Sequence, residues 1–396
     1  MKKIILFLSI IVTYTTCSQS KKEKNNNDIQ QLYININKSN NINNLDKSTF
    51  YDISEDILPD FEFTRLETND SCLVGYVKDI IYHNKNYYIQ DEINNCVHCF
   101  SHTGKHLFTL NKQGQGPDEY TQIHAFTVDN NNIWIVDNLS FKLICYNQNQ
   151  KITDCVDLKK YNFQADQIII NNQEVILINN WAGLGSPLYL VLIYDTINKK
   201  SYLKKEFSAL PPNTILRGMK RQTAISDTTI LATFSYCDTI FQIINHNIVP
   251  KYKYIFSERM EDTPLNTENY REDTKRINGI NALYQTPNNI ILEYVDERWT
   301  RYAIFKKDGI FLGLYPGFKV QDIGNYILFG MNISDNEIIS VFNPGDDFKY
   351  YFENEIINQK FKREENKHLL IKESDKIKEG DNPVIFRFTL KNNSNL

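Results

Sequence analysis

A 46-residue repeat constrains this chain more than any other feature. Tyr87-Tyr88-Ile89-Gln90-Asp91 recurs 46 residues on as Ile133-Trp134-Ile135-Val136-Asp137. At the same offset Val97, Cys99 and Phe100 fall on Leu143, Cys145 and Tyr146. Ile80 and Tyr82 fall on Phe126 and Val128, and Asn84 and Asn86 on Asn130 and Asn132. The unit reads as an apolar strand, an Asn turn, a strand ending in Asp, a strand ending in an aromatic residue, a turn and a fourth strand. Such a unit hides its apolar face against its neighbours, so copies must stack.

Weaker copies follow. Val175 to Asn179 pairs with Leu190 to Asp195 across a longer loop, Ile230 to Phe234 with Thr239 to Ile244, and Ile290 to Tyr294 with Tyr302 to Phe305. The turn from Phe305 to Gly309 matches that from Phe100 to Gly104 in length and in its glycine. A last unit spans Tyr326 to Phe329 and Ile338 to Phe342. Four short strands every ~40–50 residues is the spacing of propeller blades. The fold class predicted is all-β, a six-bladed β-propeller with four-stranded antiparallel blades starting near residues 75, 121, 164, 222, 278 and 323. Closing the ring needs a strand from each end of the chain in one blade, and Phe61 to Leu66 and Val384 to Leu390 are the candidates. A pair of β-sandwiches would show no fixed period. The abundance of Ile, Tyr, Phe and Asn suits strands and turns.

Residues 1–17 read as a lipoprotein signal peptide. Lys2 and Lys3 precede the apolar run Ile4 to Val12, which is too short to span a bilayer. Small polar residues lead to Cys17, the expected site of cleavage and lipid attachment, although Tyr14 and Thr16 depart from the usual residues before such a cysteine. Residues 18–48 are polar and rich in Asn and Lys, composition expected of a flexible tether. Residues 49–396 form the propeller. The chain is expected to be exported and lipid-anchored to the cell envelope, on the periplasmic face or at the outer membrane. Ser18 and Gln19 after the anchor favour a periplasm-facing position.

The mixed charges, with a net of −4, leave no basic footprint for nucleic acid. No G-x-S-x-G nucleophile motif is present. Cys96, His98, Cys99, His102 and His106 cluster, but strand alternation puts Cys96 and His98 on one face and Cys99 on the other. Cys99 also aligns with Cys145, a repeated packing position, so no metal and no cofactor are expected. The adjacent carboxylates Asp118/Glu119, Glu261/Asp262 and Asp346/Asp347 read as solvated turns, and the recurrent Asp91 and Asp137 as turn-binding residues. Residues 355–380, rich in Lys and Glu, read as a surface helix or excursion before the closing strand. Function is sought in three insertions, 180–187, 211–221 and 258–276, because loops on rigid scaffolds carry it. Trp181, Arg217 and Arg221, with the run Arg298, Trp299 and Arg301, are the candidate binding residues, expected on exposed loops.

Gly114-Gln115-Gly116-Pro117-Asp118-Glu119-Tyr120 resembles the G-x-G-P-x-E-Y signature of the six-bladed β-propeller lipoproteins of Bacteroidetes-type bacteria, relatives of the NHL-repeat propellers. Arg65 to Thr68 with Leu73 to Gly75, Asp238 to Phe241, and Asp381 to Ile385 are similar to further motifs of that family, in order. The resemblance implies architecture and export rather than an activity. Physically, Gly114 and Gly116 permit a tight turn, Pro117 fixes its exit, and Glu119 and Tyr120 bond back to it. A phosphate-cradling loop is excluded because no Gly-x-x-Gly and no helix follow. The function expected is a ligand-binding or protein-interaction propeller whose partner is an envelope protein or a glycan. The alternative is a hydrolase or lyase on an extracellular polysaccharide or glycan. Inner strands that look apolar, with no shared ionisable position, favour binding over an enzyme.

Overall fold

The computed structural model describes residues 29–34, 49–130, 132–179, 188–207, 219–226, 229–234, 237–257, 280–296, 299–328, 331–334, 336–344 and 352–391. Three strands precede the repeat: β1 (Gln30–Ile34), β2 (Tyr51–Asp52) and β3 (Ile57–Arg65). The first repeat is β4 (Val77–His83), β5 (Asn86–Asp91), β6 (Cys96–Ser101) and β7 (His106–Leu110). The second is β8 (Ala125–Val128), β9 (Asn132–Asp137), β10 (Lys142–Asn147) and β11 (Ile152–Asp157). The third is β12 (Gln167–Asn171), β13 (Glu174–Ile178), β14 (Leu188–Asp195) and β15 (Lys200–Phe207). The fourth is β16 (Thr223–Ser226), β17 (Thr229–Ala232), β18 (Thr239–Ile244) and β19 (Asn247–Phe256). The fifth is β20 (Ile280–Gln285), β21 (Asn289–Asp296), β22 (Trp299–Lys306) and β23 (Phe311–Tyr315). Two short strands follow, β24 (Phe318–Val320) and β25 (Tyr326–Ile327). The chain ends with β26 (Met331–Ser334), β27 (Glu337–Phe342), the helix α1 (Glu364–Ser374) and β28 (Val384–Leu390).

Each repeat is one antiparallel sheet with its strands in chain order. Local chemistry sets the hairpins. His83 pairs with Asn86 across Asn84 and Lys85, both at positive φ, and Ile244 pairs with Asn247 across Asn245 and His246 in the same way. A two-residue turn of that hand matches the twist of its strands, and Asn tolerates it best among residues with a side chain. The middle strands are buried on both faces because the sheets pack face to face: Tyr88, Val97 and Cys99 of the first sheet meet Phe126, Ile135 and Ile144 of the second.

The ring closes as expected from the chain ends. β28 pairs antiparallel with β3, Val384 opposite Arg65 and Phe388 opposite Phe61. Arg387 secures this seam: it bonds Glu62 and Glu337 and lies 4.1 Å over the Tyr82 ring. Helix α1, inside the segment 355–380 expected on the surface, buries Leu370 in the adjoining core.

Two sequence readings need correction. Among the described residues there are seven sheets rather than six blades, the additional one being β2-β24-β25. Tyr326 and Ile327 belong to this three-stranded sheet, and the closing sheet opens instead at β26. Phe318, Val320, Ile323 and Tyr326 are too apolar to remain in a connector, and they pack with Ile53 and Phe386. The other correction concerns the tether 18–48, because within it Gln30–Ile34 pairs in parallel with β19 as a fifth strand. The cause is the alternation in Gln-Leu-Tyr-Ile: Leu32 and Ile34 are fully buried while Tyr33 stays outside. Among the described residues no helix is long and apolar enough to cross a membrane. None of the cysteines from Cys72 to Cys237 is in a disulfide.

Candidate functional site

The first strands of six sheets, or the residues that lead into them, border a cavity of about 440 Å³ at the centre of the ring. That volume suits a small ligand. Lys78 and Asp79 on β4, His124 and Asp166 just ahead of β8 and β12, Arg221 ahead of β16 and Asn332 on β26 supply its polar wall. Two of these inner strands enter the ring with polar residues and turn apolar where the neighbouring sheets close around them, as in Lys78-Asp79-Ile80 and Asp166-Gln167-Ile168.

At the core of this wall three side chains from separate parts of the ring are joined. Asn332 Nδ2 donates to Asp79 Oδ1 at 3.1 Å and to the Ile80 carbonyl at 2.8 Å. Asn332 Oδ1 accepts from Arg221 Nη1, and Arg221 Nε donates to the Thr223 carbonyl at 3.0 Å. The guanidinium lies 5.8 Å from the centre of the Tyr284 ring. Tyr284 donates to Glu293 at 3.1 Å, and Lys220 approaches the same carboxylate at 3.5 Å. Among the described residues Arg221 Nη2 and Asp79 Oδ2 keep no hydrogen-bond partner, so one cationic and one acidic edge face the cavity together.

Burial pushes the Asp79 carboxyl up from its ordinary value, although Arg221, the Ile80 N–H and Lys78 all favour its charged form. Burial lowers the His124 imidazole, opposed by its contact with the Gln122 carbonyl and aided by Lys78. Lys78 Nζ donates to the His124 carbonyl at 3.0 Å, which ties the first two sheets at the rim. Gln167 Oε1 accepts from the Gln222 and Thr223 N–H groups at 2.8 and 3.2 Å and holds the third sheet to the fourth.

Of the binding residues expected from sequence, Arg221 alone is placed in this cavity. Cys17, Trp181, Arg217 and Arg298 lie outside the described residues. Trp299 opens β22 and Arg301 lies within it, so this run is strand rather than loop. The alternation Trp-Thr-Arg-Tyr is good strand chemistry. Arg301 is buried opposite Tyr294, away from the cavity wall, with Nη1 donating to the Thr300 carbonyl at 3.1 Å. The glycine motif connects the first two sheets. Glu119 Oε2 accepts from the Gly116 N–H at 2.7 Å, and a Cβ on Gly114 would stand 1.9 Å from that oxygen. Pro117 sits in the turn between them, and fully buried Tyr120 donates to the Asn95 carbonyl at 2.9 Å. Sequence reasoning missed Lys78, Asp79, His124, Asp166 and Asn332. The signal for Lys78, Asp79 and Asp166 was a polar pair ahead of an apolar strand, whereas His124 and Asn332 follow Ile123 and Met331 and carry no such mark. The convergence of these residues on one cavity overturns the reading of inner strands without a shared ionisable position.

A ring of antiparallel sheets around a polar axial cavity, closed by strands from both chain ends, defines a β-propeller protein. The chain belongs to the family described as a domain of unknown function (DUF4934), which it matches over residues 19–389. Among solved structures it is similar to a Bacteroides fragilis NCTC 9343 protein inferred to be exported, with 16% identity, a TM-score of 0.65 and coverage of 91% of this chain and 100% of the other. It is also similar to a member of the DUF4221 family from Bacteroides vulgatus ATCC 8482, at 10% identity, a TM-score of 0.46 and coverage of 84% and 96%. At 16% identity the first of these speaks to the fold alone. No curated protein matches the sequence.

Proposed function

We propose that this protein is a lipid-anchored propeller of the cell envelope that binds a small polar ligand carrying an anionic group in its axial cavity. The array Asp79–Asn332–Arg221 supports this reading above all else. A guanidinium clamped at two nitrogens loses little freedom on binding and favours a carboxylate or a related anion. Asp79 beside it suits a hydroxyl or a second polar group of the same ligand. Acidic sugars fit both the volume and the chemistry, and a glycan or an envelope protein bearing such a group would be the partner. Export and anchoring rest on the signal and Cys17 at the N-terminus.

Isothermal titration with glucuronate and galacturonate, beside glucose and galactose, tests the ligand class. Binding of the acids that is lost in Arg221→Ala is the expected result, and no preference for acid over neutral sugar sinks the reading. Anchoring predicts radiolabelled palmitate on the wild-type chain and none on Cys17→Ala. A second reading is a hydrolase or lyase in the same cavity, favoured by Asp79, whose buried carboxyl holds its proton to higher pH as a general acid does. Turnover of an acidic glycan that disappears in Asp79→Asn, with binding retained, would establish it.

A further inference from the structure

We propose that Asp91, Cys96 and His98 form a buried site for a thiophilic divalent cation in the first sheet, zinc being the ion to test. Asp91 ends β5 and Cys96 opens β6 directly opposite it. His98 is two residues further along β6, so its side chain shares the face of Cys96. All three are at most 3% exposed, and one donor atom from each lies within 4.8 Å of the others. Cys96 Sγ is 3.3 Å from His98 Nε2, and Asp91 Oδ2 is 3.5 Å from the same nitrogen. Sulfur, nitrogen and oxygen ligands around one tetrahedral zinc stand roughly 3.3–3.7 Å apart, given the bond lengths zinc prefers.

The surroundings orient the donors. His98 Nδ1 lies 2.9 Å from Thr109 Oγ1, and that hydroxyl lies 2.9 Å from His106 Nε2. On ion binding His98 takes the tautomer with its proton on Nδ1 toward Thr109, so that the Nε2 that otherwise donates to Asp91 offers a lone pair to the ion, as imidazoles bound to metal do. Asp91 is fixed by the N–H groups of Gly75, Tyr76, Ile93 and Asn94 and by Asn94 Nδ2. Cation binding releases the Cys96 thiol proton to solvent and puts the sulfur on the ion as thiolate. His98 coordinates neutral and Asp91 as carboxylate, and nothing is oxidised or reduced.

The next repeat supplies the control within the same molecule. Asp137 accepts from the Thr121, Leu139 and Ser140 N–H groups, so it ties the same connector to the same kind of loop. Opposite it, the positions of Cys96 and His98 are Lys142 and Ile144. The loop function of the aspartate therefore requires neither a thiol nor an imidazole. Both are added only where they converge on the carboxylate.

Metal-stripped, reduced chain titrated with Co(II) and then Zn(II) tests the site. The expected result is about one equivalent bound, with a sulfur-to-cobalt charge-transfer band in the near ultraviolet that zinc abolishes. The band should persist in Cys155→Ser, whose thiol is exposed, weaken in Thr109→Val and vanish in Cys96→Ser and His98→Ala. No band in the wild-type chain overturns the proposal whatever the variants do, as does a band lost in Cys155→Ser and kept in Cys96→Ser.

Discussion

Asp79 and Asp91 stand on adjacent strands of the first sheet, and the fold treats them in opposite ways. Burial opposes the charged form of both. At Asp91 the hydrogen bonds from His98, Gly75 and Asn94 outweigh it and hold the carboxyl well below the usual range. At Asp79 burial wins and the carboxyl is pushed up. Asp91 spends its oxygens on the loop that enters the next strand, whereas Asp79 keeps one oxygen toward a cavity. The contrast separates a carboxylate that builds the propeller, whatever ion it also holds, from one that no loop N–H group claims and that is left beside the cavity.

Removing the builder should have the largest effect. Asp91→Ala leaves several buried N–H groups without an acceptor, so a loss of about 3 kcal/mol in urea unfolding is expected. A loss below about 1 kcal/mol would mean that the loop holds itself. Next comes the seam between the chain ends. Arg387→Met strands Glu337 and Glu62, and because Glu62 is about half exposed the expected cost is about 2 kcal/mol. Gly114→Ala should cost about 1 kcal/mol by displacing Glu119 from the Gly116 N–H. Wild-type stability after Glu119→Gln would separate the bond from the carboxylate charge.

The smallest effect sharpens the comparison most. The folded pKa of Asp91 lies below its unfolded value, so its contribution is complete above the ordinary carboxylate range and is lost as pH falls through the folded value. For Asp79 the folded pKa lies above the unfolded one. Its contribution is present below the ordinary range and is lost as pH rises through the folded value. Asp79→Asn should therefore leave stability at neutral pH unchanged or raised by less than about 1 kcal/mol, while weakening ligand binding. Thermal melts of Asp79→Asn and Asp91→Asn from pH 3 to 8 should show opposite changes of slope. Equal slopes would remove the distinction between the two residues.

The repeat alone carried much of the architecture: the strand pattern, the Asn turns, the turn-binding role of Asp91 and Asp137, and the pairing of Phe61 to Leu66 with Val384 to Leu390. All of these are set by contacts within a unit or by a period that leaves a mark in the chain. The three-stranded sheet was missed because Phe318 to Ile327 has no partner at the repeat period and pairs with β2 from the opposite end of the chain. Arg221 was found because it ends an insertion that breaks the pattern, yet the same logic put Arg301 on a loop. Whether an arginine faces solvent, a neighbouring sheet or the axis depends on contacts far along the chain.

By itself the sequence determined a closed ring of short antiparallel sheets, because period, turn chemistry and alternation act over a few residues. The cavity was decided only by tertiary structure. Asp79, Arg221 and Asn332 are far apart in sequence, carry no common motif and meet only because the inner strands converge on one axis. Their electrostatics follow from that meeting, since burial and the distance to an opposite charge exist only once the ring has closed.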